Sequence, residues 1–402
     1  MPAESARQAA PGRASPSNKL PAPFLGLVEA VTIEPHGQFA FDGAIERDHL
    51  SHIWTWMVRD LAADLIDVRA IDDSDQSRLA LESLVPVLIE RAEKAIEAAR
   101  ALPEASRRLT AQIGGDDTRD RLPVALNALR LRDVCRKAGD VGRIINAALD
   151  EAGVAAILQP MPYAEQPVGA FLMQAVVGSV VVPHRMVGAA IRIAGGGATE
   201  PALVRAGFGS LIEAMLAHAQ NQTPILSQAG MFGDVDLICR ALDRFHRLMR
   251  AVTGYVELNR NGRWAKIAGA LTTEVSQRLE PKLRDVAPDL NKSLRRRDGV
   301  DRLDGDLVLS ALNGMYLLSA VRDCRETLAL NALFDQVWTQ TGQALEIHTD
   351  RLMEQLRQNP ADAIASARLD AALKMGEIRF GQNYAEGMRH AKQTAERRLN
   401  SA

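Results

Sequence analysis

The chain has 402 residues, 47% of them hydrophobic and 4% aromatic, and its 48 basic and 50 acidic side chains leave a formal net charge of −2. A chain of this length can bury a sizeable core without disulfide bonds or metal ions. The balanced charge gives no support for nucleic-acid binding, because proteins that bind nucleic acid carry a basic surplus on a domain or a face.

The cysteines indicate a reducing environment. Cys135, Cys239 and Cys324 lie far apart, and the sequence has no CxxC pair and no Cys–His cluster. This spacing supports neither a disulfide framework nor a zinc site, so we expect free thiols in the cytoplasm, no bound metal and no cofactor. The basic residues are mostly arginine, which together with the many alanines suggests a GC-rich bacterial genome.

Residues 1–23 are rich in proline, serine and alanine and lack the apolar run of a secretory signal peptide. This composition predicts a disordered tail. The alternative is a leader for secretion by a specialised system. A mitochondrial presequence is disfavoured, because Pro11 and Pro16 would break its amphipathic helix.

The best strand candidate is residues 27–43, where apolar side chains alternate on both sides of a Pro-His-Gly turn sequence. The alternation and the turn predict a small β-hairpin. Because an isolated hairpin is only marginally stable, we expect it to pack on the helices that follow.

A first helix is predicted over residues 44–68, with one apolar stripe along it. A tryptophan lies off that stripe among polar residues, so it must meet a second layer, a partner or a ligand. We therefore regard this side of the helix as a candidate binding site, with a solvated polar edge as the alternative. The two histidines lack the i, i+4 spacing and the glutamate of a helical zinc motif. The candidate residues are His49, His52, Trp56, Arg59 and Asp60.

Further helices are predicted at 76–100, at 120–151 with a possible break at Gly139, at 234–259 and at 264–284. Between the second and third of these, residues 166–184 contain no formally charged side chain except the terminal histidine. They can be read as a buried helix pair broken at Pro183, as a membrane-inserting segment or as a buried strand. We favour the helix pair, because Arg185 and Arg192 fall on one seam of an otherwise apolar pattern.

A glycine run follows this segment and is expected to end a helix. Thr199 can cap the next helix, which has Glu200 and Pro201 in its first turn. Free backbone N–H groups at a helix N-terminus can also bind an anion, but the run lacks the lysine of a phosphate-binding loop. The residues of this second candidate site are Gly195, Gly196, Gly197 and Thr199.

The last hundred residues predict two long helices. No proline interrupts residues 305–359, and apolar residues continue at helical spacing on both sides of Pro360. Two such helices joined at a proline predict an antiparallel, coiled-coil-like helical hairpin.

These patterns predict a mainly α protein, a multi-helix bundle with a small N-terminal β-hairpin and a long C-terminal antiparallel helical hairpin. The expected divisions are a tail over 1–23, a helical body over 24–290 and the hairpin over 303–402. No nucleophile, kinase or dinucleotide fingerprint is present. We therefore expect an interaction or scaffold protein that self-associates or binds another protein. The alternatives are a membrane-inserting or secreted protein that uses residues 152–194, and an enzyme with a polar site near His49, Trp56 and Arg59.

Overall fold

A computed structural model describes residues 20–34, 39–227, 234–295 and 302–397. This part of the chain is mainly α-helical, and its only sheet has two strands. The described residues divide into two compact units. The expected N-terminal tail lies almost wholly outside them.

The first unit contains residues 20–34 and Asp42–Lys137. Its elements are α1 (Ala22–Val28), β1 (Thr32–Ile33), β2 (Ile45–Glu46), α2 (Arg47–Trp56), α3 (Asp75–Ala101), α4 (Pro103–Ile113), α5 (Asp116–Arg130) and the first part of α6 (Arg132–Ala147). Helix α3 contacts α1, α4 and α5, and α2 contacts α4 and α5. The core of this unit lies among these five helices.

The prediction of an N-terminal β-hairpin is wrong. β1 and β2 pair in parallel, with Thr32 opposite Ile45 and Ile33 opposite Glu46. The start of the predicted hairpin is the end of α1, where Phe24, Leu27 and Val28 are buried at i, i+3 and i+4. That helical spacing buries more apolar surface than a short strand would, and Pro23 in the first turn favours a helix start. Residues 35–38 lie outside the described residues.

The first predicted helix is shorter than expected. The first part of its apolar stripe is confirmed, because Leu50, Ile53, Trp54 and Met57 are buried, whereas Leu65 near its predicted end is 38% exposed. However, the α-helix ends at Trp56 and continues only as a π-helical turn to Leu61. There Arg91 of α3 donates from Nη1 to the carbonyl of Leu61 at 3.0 Å, which satisfies a helix-end carbonyl that has no partner within the helix.

The second unit contains residues 39–41 and the described residues from 138 onwards. Its further elements are α7 (Glu151–Leu158), α8 (Val168–Ser179), α9 (Pro183–Ile193), α10 (Glu200–Arg205), α11 (Gly209–Gln220), α12 (Thr223–Leu226), α13 (Val235–Tyr255), α14 (Arg263–Leu294), α15 (Gly305–Cys324), α16 (Asn331–Gln358), α17 (Ala363–Phe380) and α18 (Gln382–Arg397). Helix α11 packs on both α8 and α13, and α14 contacts α15 and α16.

The charge-free segment forms a buried helix pair, as predicted. Every residue of α8 from Gly169 to Val177 is buried, and Pro183 begins α9 after a break. Arg185, on the predicted arginine seam, donates to the carbonyl of Ala148 at 3.0 Å. No helix in the described part of the chain is long and apolar enough to cross a membrane.

Several helix boundaries differ from the predictions. The expected helix at 120–151 is two helices that break at Leu131 rather than at Gly139. Helix α14 runs ten residues beyond the predicted end, through Pro281 and Pro288, because its buried face continues to Leu294. Tertiary burial outweighs the loss of two backbone donors there.

The C-terminal helices are also shorter than predicted. The single helix expected over 305–359 is two helices, α15 and α16, separated at residues 325–330. Instead of a single helix after Pro360, α17 ends at Phe380, and Gly381 with φ +94° separates it from α18. A residue with a positive φ cannot continue a right-handed helix, and glycine adopts a positive φ at little cost. Helix α16 packs on α17, and α17 packs on α18.

Candidate functional site

The two histidines of the first helix converge on one hydroxyl group. The Nδ1 atoms of His49 and His52 lie 3.1 and 3.5 Å from Oγ1 of Thr118 on α5. The His52 ring also packs closely on Gly114. Among the described residues, no group of three or more His, Cys, Asp or Glu side chains could hold a metal ion. The two histidines therefore hydrogen-bond to a neighbouring helix of the same unit.

The other three residues of this candidate site do not join the histidines. Trp56 is 2% exposed, so its indole belongs to a second packing layer rather than to an open surface. Arg59 pairs with Asp60 at 2.6 Å and donates to the carbonyl of Gln112 at 3.0 Å. These contacts anchor the end of the first helix to α4.

The glycine run is the helix stop that the sequence predicts. Gly195 and Gly196 have φ values of +75° and +88°, directly after α9. Thr199 caps α10, as predicted, by accepting a hydrogen bond from the N–H group of Ala202 at 3.4 Å. The N–H group of Glu200 donates to a backbone carbonyl. Two of the donors that an anion would require are therefore engaged within the protein.

A cleft lies between α13, α14 and α15. Its volume is about 380 Å³, which is in the range of small-ligand and side-chain pockets. Its apolar lining comes from Val235, Ile238, Val286 and Leu317, and its polar lining from Lys282, Asp285, Asp289, Ser310 and Asn313. The lining is therefore more polar than that of a typical small-molecule pocket, which is predominantly apolar.

The polar wall is a stripe along α14. Lys282, Asp285 and Asp289 follow one another at helical spacing, so they lie on one face. Asp289 accepts hydrogen bonds from Ser310 at 3.3 Å and from Lys292 at 3.2 Å. In contrast, the Asp285 carboxylate has no hydrogen bond or ion pair with any residue that the structure describes. It is available to a cation or donor from outside the chain.

Helix α15 forms the other wall. Gly314 allows it to approach α14, since a Cβ atom there would lie 3.3 Å from Cγ2 of Val286. No residue between Asp306 and Arg322 carries a formal charge. Even so, Leu309 and Tyr316 on this helix are 44% and 53% exposed.

The hydrogen bonds of the cleft bear on its serine. Its only hydroxyl nucleophile, Ser310, donates to Asp289, and the other carboxylate oxygen of Asp289 accepts from Lys292. No histidine or cysteine is among its lining residues. Nucleophilic catalysis by a serine needs an adjacent base that is free to take the proton.

The cysteines of the described residues are unpaired, as the sequence predicts. Cys135 and Cys324 are buried, and burial raises the pKa of each thiol to about 12. Burial also raises the pKa of the half-buried Cys239 to about 11. All three thiols are therefore protonated and poorly reactive near neutral pH.

Reasoning from the sequence did not find the cleft. Two features of the sequence belong to the cleft: Asp285 and Asp289 are four residues apart on α14, and the middle of α15 has no charged residue. No local motif indicates that these two helices lie side by side. No family model, curated protein or solved structure matches this chain.

Proposed function

We propose that this chain is a helical interaction protein that self-associates through the outer face of α15, meaning Leu309, Asn313 and Tyr316, and the cleft beside it. The supporting observation is the exposure of Leu309 and Tyr316 on a helix with no charge over its central four turns. A surface helix normally carries charged or polar residues on its outer side, and a helix that is apolar on all sides is normally covered.

A second copy of the chain fits this face because the face carries both signs of charge. Lys282 lies one turn before Asp285 on α14, beside the apolar residues of α15. In a two-fold symmetric dimer, both copies use the same surface, so each contact occurs twice. Such a dimer would cover Leu309 and Tyr316 of both copies at once.

Light scattering over a concentration series tests the proposal. We expect the wild-type chain to have twice the 43.7 kDa mass of one copy. The double variant Leu309→Ser, Tyr316→Ser should dissociate at concentrations at least about tenfold higher than wild type, because each change removes apolar contact from both halves of the dimer.

The matched control is the double variant Val204→Ser, Ile347→Ser. These two side chains are exposed to a similar degree, at 54% and 66%, on α10 and α16. The control should keep the dimer. A wild-type chain that stays monomeric at every concentration, or a control that dissociates as readily as the test variant, would contradict the proposal.

We also propose that α16 and α17 form the antiparallel helical hairpin expected from the sequence. The support is that the two helices pack on each other and are joined by the short link at 359–362. Helices joined by a link of two to five residues usually run in opposite directions. A hairpin of this kind gives α15 a rigid base, which a docking helix needs.

A further inference from the structure

Two arginine side chains share the indole ring of Trp338 on α16. The guanidinium carbon of Arg379, near the end of α17, lies 4.0 Å from the ring centroid, and that of Arg322, near the end of α15, lies 5.4 Å from it. Trp338 is itself partly exposed. Three helices thus bring two cations and one aromatic ring together at an accessible position.

Arg379 is held in place without a carboxylate. Its Nε atom donates to the backbone carbonyl of Trp338 at 3.1 Å. Its Nη2 atom occupies space beside Gly342, where a Cβ atom would lie only 2.9 Å away. No carboxylate of the described residues is within ion-pair distance of Arg379, and its Nη groups donate to no acceptor among them. A guanidinium has five N–H donors, so most of its capacity is unused.

Charged side chains on three helices act on these two arginines. Arg322 pairs only with its exposed neighbour Asp323, at 2.9 Å. Burial lowers the pKa of Arg379, the charge of Glu346 raises it, and the charge of Arg322 lowers it to a smaller extent. An anion that contacts both guanidinium groups would offset the repulsion between them and supply acceptors for their Nη groups.

We propose that Arg322 and Arg379, supported by Trp338, bind a phosphate group. Two guanidinium groups match the charge of a phosphate dianion, and each can donate two parallel hydrogen bonds to its oxygens. The indole ring and the carbonyl of Trp338 fix Arg379, so less side-chain entropy is lost on binding. The shared chemistry is that of inorganic phosphate and of small phosphate monoesters. The site is independent of the self-association proposed above.

Calorimetric titration of the full chain at constant ionic strength tests the site, with inorganic phosphate in one arm and glycerol 3-phosphate in the other. We expect saturable binding with a dissociation constant in the millimolar range or tighter. Arg379→Gln and Arg322→Gln should each weaken it about tenfold or more. If both ligands bind, the site takes monoesters; if only inorganic phosphate binds, it takes the free ion, and both results support the proposal.

Two further variants separate the site from general charge and from misfolding. Arg284→Gln removes an exposed arginine of α14 that pairs with Glu280, and it should leave phosphate binding unchanged. Gly342→Ala keeps every charge but displaces the Arg379 guanidinium, so it should weaken binding while the helical circular dichroism remains. The proposal is overturned if neither ligand gives saturable binding at millimolar concentration, or if Arg284→Gln weakens binding as much as Arg379→Gln does.

Discussion

Two side chains from neighbouring helices satisfy backbone carbonyls of the charge-free helix α8. His218 of α11 has its Nε2 atom 2.7 Å from the carbonyl of Gln174. Arg244 of α13 donates to the carbonyls of Val177, at 2.6 Å, and Val180. The last carbonyls of a helix have no partner within it, so an arginine that reaches them from another element stabilises the helix end. Burial lowers the pKa of Arg244 to about 10, which still leaves it charged at neutral pH.

His218 makes the stability of the protein depend on pH. Burial lowers its pKa to about 4, so the folded chain keeps the ring neutral with the Nε2 proton directed at the carbonyl of Gln174. In the unfolded chain the same ring binds a proton near pH 6.5. Its contribution to stability is therefore complete above pH 6.5 and is lost as pH falls towards 4.

We expect this effect to remove roughly 2–3 kcal/mol of the free energy of unfolding between pH 6.5 and pH 4. Urea denaturation across this range should show a smaller loss in His218→Gln than in the wild-type chain. His390→Gln, at an exposed position on α18, is the control. Its free energy of unfolding should fall with pH as steeply as that of the wild type. Equal slopes in His218→Gln and the wild type would contradict the assignment.

At the scale of the helices, the sequence correctly predicts those boundaries that are determined by a single nearby residue. Pro183 begins α9, the glycine run ends it, and Thr199 caps α10, because each depends on a residue with one strong backbone preference. The boundaries that were predicted wrongly depend on contacts with residues far away in the sequence. The end of α14 follows its buried face, and α1 takes helical form because Phe24 packs on Trp54.

The close packing of α6 on α8 gives a prediction within a single helix. A Cβ atom on Gly142 would lie 2.7 Å from Cβ of Ser179 and 2.8 Å from the carbonyl oxygen of Val176, neither of which can move freely. Gly142→Ala should therefore lower the free energy of unfolding by about 1–3 kcal/mol.

Gly139, one turn earlier in α6, provides the matched control. A Cβ atom there would meet only Oγ of Ser179, at an ordinary 3.6 Å. Gly139→Ala should raise the free energy of unfolding by about 0.5–1 kcal/mol, because alanine favours the helix over glycine. Denaturant titration of both variants measures the difference. If Gly142→Ala is also stabilising, the close approach of the two helices is wrong.

At the scale of the whole molecule, the sequence predicts the class of fold but not the site. A helical pattern shows which face of a helix is apolar, yet it cannot show which neighbours cover the remaining faces. The sequence therefore left open whether the off-stripe Trp56 meets a second layer, a partner or a ligand, and the structure shows that a second layer buries it. Conversely, no sequence pattern singled out the α15 face, where Leu309 and Tyr316 are exposed beside the cleft that contains Asp285.

The central claim is that two copies of the chain meet at the α15 face, and site-specific cross-linking tests it most directly. Tyr316→Cys introduces an exposed thiol at this face, while the native Cys135, Cys239 and Cys324 remain unreactive because burial raises the pKa of each thiol. With a short bifunctional thiol reagent, the account predicts a covalent dimer of Tyr316→Cys and little or none of Ile347→Cys, whose site on α16 is more exposed, at 66% against 53%. Equal yields from the two variants, or no dimer from Tyr316→Cys at concentrations where light scattering finds two copies, would contradict it.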